Sequence, residues 1–280
     1  MTLIDGRPLA AEIRARTLAA VNEMPGAGSA VTLGAVVATA DPATAWYVRS
    51  ISSTAQKVGI TVREVPVDAA DADGVIGALD ALSRDRDVHG IICLTPLPPG
   101  LSLAQAGEHI DPAKDVDGAN PLSLGRLAAG LPAFAPATAQ AAIEILRLSG
   151  LSLEGAEAVV VGRSMVVGKP LALLLLAEHA TVTVCHSRTR ELAEVTVRAD
   201  VLVAAAGQAG LIGAGHVKAG AIVIDVGTNP TADGGLVGDV DTAAVEPVAA
   251  AVTPVPGGVG PVTTALLLDN VARAAASQAD

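Results

Sequence analysis

Aromatic side chains are nearly missing: Trp46, Tyr47 and Phe134 are the whole supply in 280 residues. An interior without rings has to be filled with Ala, Val, Leu and Ile, which suits parallel sheets covered by small-residue helices. Basic residues are also few, 18 Lys and Arg against 29 Asp and Glu, for a net charge of -11. That balance excludes a general nucleic-acid binder, which needs clustered cations to displace counterions from phosphates. Only two cysteines occur, Cys93 in GIICL and Cys185 in TVTVCH. Both lie in apolar, strand-like runs far apart, so they are expected to be buried thiols in a reducing compartment and not a disulfide. Long apolar runs are lacking too. LALLLLA at 171–177 is the closest, and it stops short of the ~20 residues of a membrane span. The first residues, MTLIDGRPLAAEI, lack the charged-then-apolar layout of a signal peptide. The expectation is a cytoplasmic protein with no membrane partner.

Hydrophobic residues nevertheless make up 51% of the chain, ample for a core, and the length suits two α/β lobes. Strand-like and helix-like runs alternate throughout, which predicts parallel sheets. In the first half a helical pattern at 7–22 precedes a strand at 31–38. A helix from Pro42, a strand at 61–65, a helix at 73–82 and a strand at 89–94 follow. Residues 95–136, rich in Pro, Gly and Asp, read as site-lining connections. After a helix at 138–148 come strands at 158–161, 181–186, 201–207 and 221–227, with helices at 168–179 and 191–199 between them. This second series is Rossmann-like. A Gly/Pro loop and a terminal helix close the chain.

The strand AVVV (158–161) runs into Gly162-Arg163-Ser164-Met165-Val166-Val167-Gly168-Lys169-Pro170. Strand, glycine turn and helix N-terminus in that order suit a pyrophosphate, although the spacing is not the usual G-x-G-x-x-G. The end of the next strand reads Cys185-His186-Ser187-Arg188-Thr189. It offers no acid for ribose hydroxyls; Ser187, Arg188 and the nearby Arg163 suit an extra phosphate instead, which favours NADP over NAD.

Several stretches together resemble one family, methylenetetrahydrofolate dehydrogenase/cyclohydrolase. They are GRSMVVGKP (162–170), CHSRT (185–189), AIVIDVGTN (221–229), GDV (238–240) and TPVPGGVGPVTTALLLDN (253–270). Upstream are KDVDG (114–118), TPLP (95–98), VGI (58–60) and DPATAWYV (41–48). The resemblance implies an α/β fold of two lobes flanking a cleft, the second a Rossmann-like parallel sheet. The implied lobes are a folate-binding catalytic lobe from 1–135 plus 262–280 and an NADP-binding lobe from 136–261. It implies oxidation of methylenetetrahydrofolate to methenyltetrahydrofolate with NADP, usually followed by hydrolysis to formyltetrahydrofolate, in a homodimer without a metal. The folate would meet Tyr47, stacked on its ring, and Asp117, facing the donor edge of the pterin. Cys93, Leu94 and Thr95 at a strand end, and the backbone of Pro256, Gly257, Gly258 and Val259, would complete its site. NADP would meet Gly162, Arg163, Ser164 and Gly168 in the glycine turn, Ser187 and Arg188 at the next strand end, and Thr228.

The chain departs from the family at two catalytic positions and in one further segment. The catalytic lysine, four residues after the tyrosine on the same helix face, is Ile51, and the glutamine that meets it is Leu94. The segment usually read P-C-T-P is Pro136-Ala137-Thr138-Ala139. Neither Arg49 nor Lys57 falls on the face of Tyr47 and Ile51. Hydride transfer needs the reacting rings held together, whereas hydrolysis needs a group to position and deprotonate water. The expectation is a dehydrogenase whose cyclohydrolase step is weak or lost. Two alternatives stay open: an oxidoreductase of the same fold acting on another pterin or imine, and a non-catalytic folate- or NADP-binding subunit.

Overall fold

The structure is a computed structural model that describes residues 1–24, 31–231 and 233–279. The chain divides into two compact units, one of residues 10–137 and 264–280 and the other of residues 1–9 and 138–263.

The first unit is built on a three-stranded parallel sheet. Val31–Val37 lies in the middle, paired with Ile60–Pro66 on one side and Gly90–Leu94 on the other. The middle strand, VTLGAVV, is apolar along its length because both of its faces are covered. Val75, Leu79 and Leu82 of helix Ala72–Arg84 pack with Val36, Ile91 and Cys93 into one core cluster. Helix Pro42–Lys57 starts where Asp41 accepts the Thr44 N–H at 2.8 Å and proline takes the first helical position. The segment expected to be loop at 95–136 contains two short helices, Leu103–Gly107 and Pro121–Ala128. Their caps explain them: Ser102 with Gln105 forms a capping box, and Asn120 caps a helix that opens on Pro121.

The second unit holds a six-stranded, all-parallel sheet. Its order is Thr2–Leu3, Ala251–Val252, Ile222–Asp225, Val201–Ala204, Glu157–Val161 and Thr181–Cys185. Val159, Val161, Leu202, Ala204, Val223 and Val252 form its core with Cys185. Residues 1–9 were expected in the folate lobe. They lie in this unit instead, because Thr2 and Leu3 extend the sheet beside Ala251 and Val252, a pairing no local pattern encodes. No helix of the described residues is long and apolar enough to cross a membrane.

Candidate active site

In the first unit, Tyr47 lies early in helix Pro42–Lys57 and is half-buried. Burial, with the negative charge of Asp117 in reach, pushes its phenol well above the ordinary range. These two expected site residues are thus brought together. Asp117 is itself half-buried, and its Oδ1 accepts the Ala137 N–H at 3.1 Å. Burial, aided by the neighbouring charge of Asp115, raises its carboxyl to about 7 against that hydrogen bond. The carboxyl can therefore exchange its proton near neutrality, unlike an ordinary exposed aspartate.

The loop carrying Asp117 is fixed by residues that sequence reasoning passed over. Asp115 is fully buried and accepts the N–H groups of Ala119 and Asn120 at 2.8 and 3.0 Å. Lys114, also buried, donates to the carbonyls of Ser83 and Asp85 at 2.9 and 2.6 Å, at the end of helix Ala72–Arg84, where the last carbonyls need donors from outside the helix. Asn270 on the terminal helix Val259–Ala279 donates its amide to the Val116 carbonyl at 3.0 Å. The signal available was the spacing in KDVDG, whose two acids alternate; only the fold shows that Asp115 is the structural one.

Ile51 and Leu94, expected to stand at the resembled family's lysine and glutamine positions, are both buried. Ile51 is 1% exposed and Leu94 5%. Ile51 lies one helical turn beyond Tyr47, as the spacing predicts, and is packed into the core of the unit. Cys93, expected among the folate contacts, points its side chain into the cluster with Leu79 and Val36. Burial there raises its thiol to about 12, so it stays protonated. Alternation along the strand puts Leu94 on the other face. Thr95, at the strand end, is exposed, and its peptide to Pro96 is cis.

In the second unit, the glycine turn sits where the sheet order reverses. Strand Glu157–Val161 has Thr181–Cys185 on one side and the later Val201–Ala204 on the other, the arrangement that opens a crevice at the carboxyl ends of parallel strands. Gly162 has φ +145°, and a Cβ there would overlap the Ala205 carbonyl oxygen. Only glycine fits. Gly168, at the start of helix Gly168–Ala177, packs just as closely on the Gly162 carbonyl. Arg163, Ser164, Ser187, Arg188 and Thr228 are all exposed, and all follow the carboxyl ends of these strands. The turn at 186–189 is pinned by the Thr189 hydroxyl, which accepts the His186 N–H at 2.9 Å, and by His186 Nδ1, which accepts the Arg188 N–H at 3.1 Å.

The Pro256–Val259 loop belongs to this unit as well. Val255–Pro256 is cis, Gly257 has φ +113°, and Gly6 donates its N–H to the Gly257 carbonyl at 2.9 Å. A Cβ on Gly258 would lie 2.6 Å from the Pro254 carbonyl oxygen, so that glycine is required by the turn itself. The segment Asp5-Gly6-Arg7, unremarked in the sequence, buttresses this loop. Asp5 and Arg7 pair at 2.7 Å, and the guanidinium lies against Gly257.

Residues 4–117 match the family model described as tetrahydrofolate dehydrogenase/cyclohydrolase, catalytic domain, and residues 136–279 match its NAD(P)-binding domain. The chain is similar to the bifunctional protein FolD of Parafrankia sp. (strain EAN1pec), 58% identical over 277 residues, 98% of this chain and 99% of that one. Among solved structures it resembles the FolD methylenetetrahydrofolate dehydrogenase/cyclohydrolase of Campylobacter jejuni, with TM-score 0.93, 36% identity and 99% of each chain covered. It also resembles the enzyme of that name from Trypanosoma brucei, complexed with NADP cofactor and an inhibitor. That match has TM-score 0.91 and 36% identity, over 97% of this chain and 96% of the other.

Proposed function

The chain belongs to the tetrahydrofolate dehydrogenase/cyclohydrolase family, and from that membership we propose that it oxidises methylenetetrahydrofolate to methenyltetrahydrofolate with NADP, hydrolysis of the product being weak or lost. The observation that carries the second half is the pair of aliphatic residues at the family's lysine and glutamine positions, Ile51 and Leu94, both buried. The relatives bear a bifunctional name; the proposal is that this chain has kept one of the two activities.

The residues present fit a dinucleotide. The glycine turn leaves the space that a Cβ at Gly162 would fill, and the Gly168 helix N-terminus follows it. Exposed Arg163, Ser187 and Arg188 supply charge and a hydroxyl for a phosphate beyond the ribose, with no acid at that strand end to take the ribose itself. A cofactor held by these residues would supply the hydride acceptor. The chain's own part is to hold and orient. Tyr47 offers a ring face for an offset stack, worth ~1 kcal/mol beyond its area. Ionised Asp117 accepts paired N–H groups of a pterin, and Thr95 in the same unit bounds the ligand. No proton need leave carbon to a protein base, since hydride departure is driven by the folate nitrogen's lone pair. Hydrolysis does need a base, and neither Ile51 nor Leu94 carries one.

We assign the chain to the cytoplasm, where its two free thiols stay reduced, and to a homodimer. Support for the dimer comes from the all-apolar run of helix Gly168–Ala177, where Leu176 is 61% exposed, and from Val184, 39% exposed on the edge strand Thr181–Cys185. Light scattering at a monomer mass would remove that assignment. The activity is tested by mixing the protein with NADP and methylenetetrahydrofolate. The expected result is NADPH formation with methenyltetrahydrofolate accumulating. Absence of NADPH, or a methenyl decay accelerated by the protein, would overturn the proposal.

A further inference from the structure

Asp239 is completely buried in the second unit, yet it belongs to no helix or strand. Its Oδ2 accepts the N–H groups of Ala206 and Gly207 at 2.6 and 2.9 Å. Its Oδ1 accepts the Gln208 N–H and the Asn229 side-chain amide, both at 2.9 Å. Four donors fill the acceptor capacity of one carboxylate. A buried carboxylate is costly unless its oxygens are fully satisfied, and here that satisfaction comes almost entirely from one loop, Ala206–Gln208.

A second buried carboxylate holds the first. Asp225, 2% exposed at the end of strand Ile222–Asp225, accepts the N–H groups of Gly227 and Asp239 on Oδ1 and that of Val240 on Oδ2, at 2.9, 3.0 and 3.0 Å. The two aspartates are interlocked by glycines. A Cβ on Gly227 would overlap the Asp239 carboxylate, and one on Gly238 would overlap that of Asp225. Burial, with Asp239 adding to it, raises the Asp225 carboxyl to about 6 despite its three N–H bonds.

The loop so gathered abuts the glycine turn. Ala205 donates its N–H to Val161 at 2.8 Å, and its carbonyl is the atom a Cβ on Gly162 would strike. Thr228 lies beside Asn229, on the same network. We propose that Asp239 is a positioning residue for the dinucleotide: its carboxylate fixes the Ala206–Gln208 loop against the Gly162 turn and so sets cofactor affinity. This rests on the cofactor reading above.

The test titrates NADP by calorimetry into the wild type, Asp239→Asn and Asn229→Ala. Folate affinity is read in parallel from the fluorescence of Trp46, the chain's only tryptophan, and amide exchange of Gly207 and Gln208 from the ligand-free proteins. Asp239→Asn should weaken NADP about tenfold or more, leave folate affinity within about twofold, and speed exchange at both amides. Asn229→Ala, which removes one donor of four, should act in the same direction by about threefold. A wild type that binds no NADP overturns the cofactor reading and the proposal together. A wild type that binds it, with Asp239→Asn binding equally well or losing both ligands in equal measure, overturns the positioning role alone. If Asp239→Asn does not fold, Asn229→Ala decides: unchanged NADP affinity despite faster Gln208 exchange counts against the proposal.

Discussion

The hydroxyl of Thr44 lies 2.9 Å from the carbonyl oxygen of Thr95 and 2.9 Å from the carboxylate of Asp41, so one buried proton is shared between a helix cap and a strand end 51 residues away. Asp41 already holds the Thr44 N–H at 2.8 Å. The first turn of the helix that carries Tyr47 is therefore tied to the strand end that carries Leu94 and Thr95. Two segments expected around one ligand are linked before any ligand arrives.

Replacing Thr44 by valine keeps the shape and removes that shared donor. The helix cap survives, because the Thr44 N–H remains. The expected cost is about 1 kcal/mol of stability, a fall in Tm of roughly 2 °C. Folate affinity should drop about threefold while NADP affinity holds. Scanning calorimetry and paired titrations check both; equal loss of the two ligands would mean that Thr44 serves stability only.

Asp117 makes folate binding pH-dependent. Its carboxyl sits at about 7, above the ordinary 3.8, chiefly because burial penalises the charge. The charged form is the one that accepts pterin N–H groups. Affinity should therefore rise as pH climbs through about 7, and fall about tenfold per unit well below it. The stability linkage runs the other way. A folded-state value above the unfolded one means that the stabilising contribution is complete below about 4 and is lost as pH rises through about 7. Asp117→Asn should flatten the binding profile measured by Trp46 fluorescence; an unchanged profile would assign the titration to another group.

Much of the fold is legible in the residues, because short apolar runs rich in β-branched side chains and bounded by turns, such as VTLGAVV and AVVV, favour buried strands. The helices at 103–107 and 121–128 were hidden by the surrounding Pro and Gly, although Ser102 with Gln105, and Asn120 with Pro121, spell their caps. The glycine turn at Gly162 was legible through its strand–turn–helix context, whereas Tyr47 and Asp117 were singled out only through the family resemblance. The site was not legible at Asp225 and Asp239. Each reads as a strand-end or turn acid, and the donors that define its role come from loops up to 33 residues away. The same limit hid the pairing of Thr2 and Leu3 with Ala251 and Val252.

Cofactor preference should reside in the exposed guanidinium of Arg163, with Ser187 and Arg188 at the adjacent strand end. Arg163→Ala is expected to weaken NADP about tenfold and leave NAD nearly unchanged, since only the former carries the extra phosphate. Calorimetry with both cofactors checks this. Equal affinities in the wild type, or a variant that keeps its preference, would show that these arginines are merely solvated.

Ile51 provides the last prediction. Its side chain is 1% exposed, one helical turn beyond Tyr47, and it can neither orient nor deprotonate water. Methenyltetrahydrofolate should therefore decay little or no faster with the wild-type protein than in buffer. A lysine placed at 51 alone would enter an apolar environment, where desolvation lowers its pKa and costs stability, and Leu94 would offer its amine no hydrogen bond. Glutamine at 94 supplies that partner. Ile51→Lys with Leu94→Gln should speed the decay by about a hundredfold, and Ile51→Lys alone by far less. The three proteins are compared by following methenyltetrahydrofolate absorbance after confirming that each is folded. Rapid decay with the wild type would sink the claim and reveal another base. Equal rates for the single and double variants would show that position 94 takes no part.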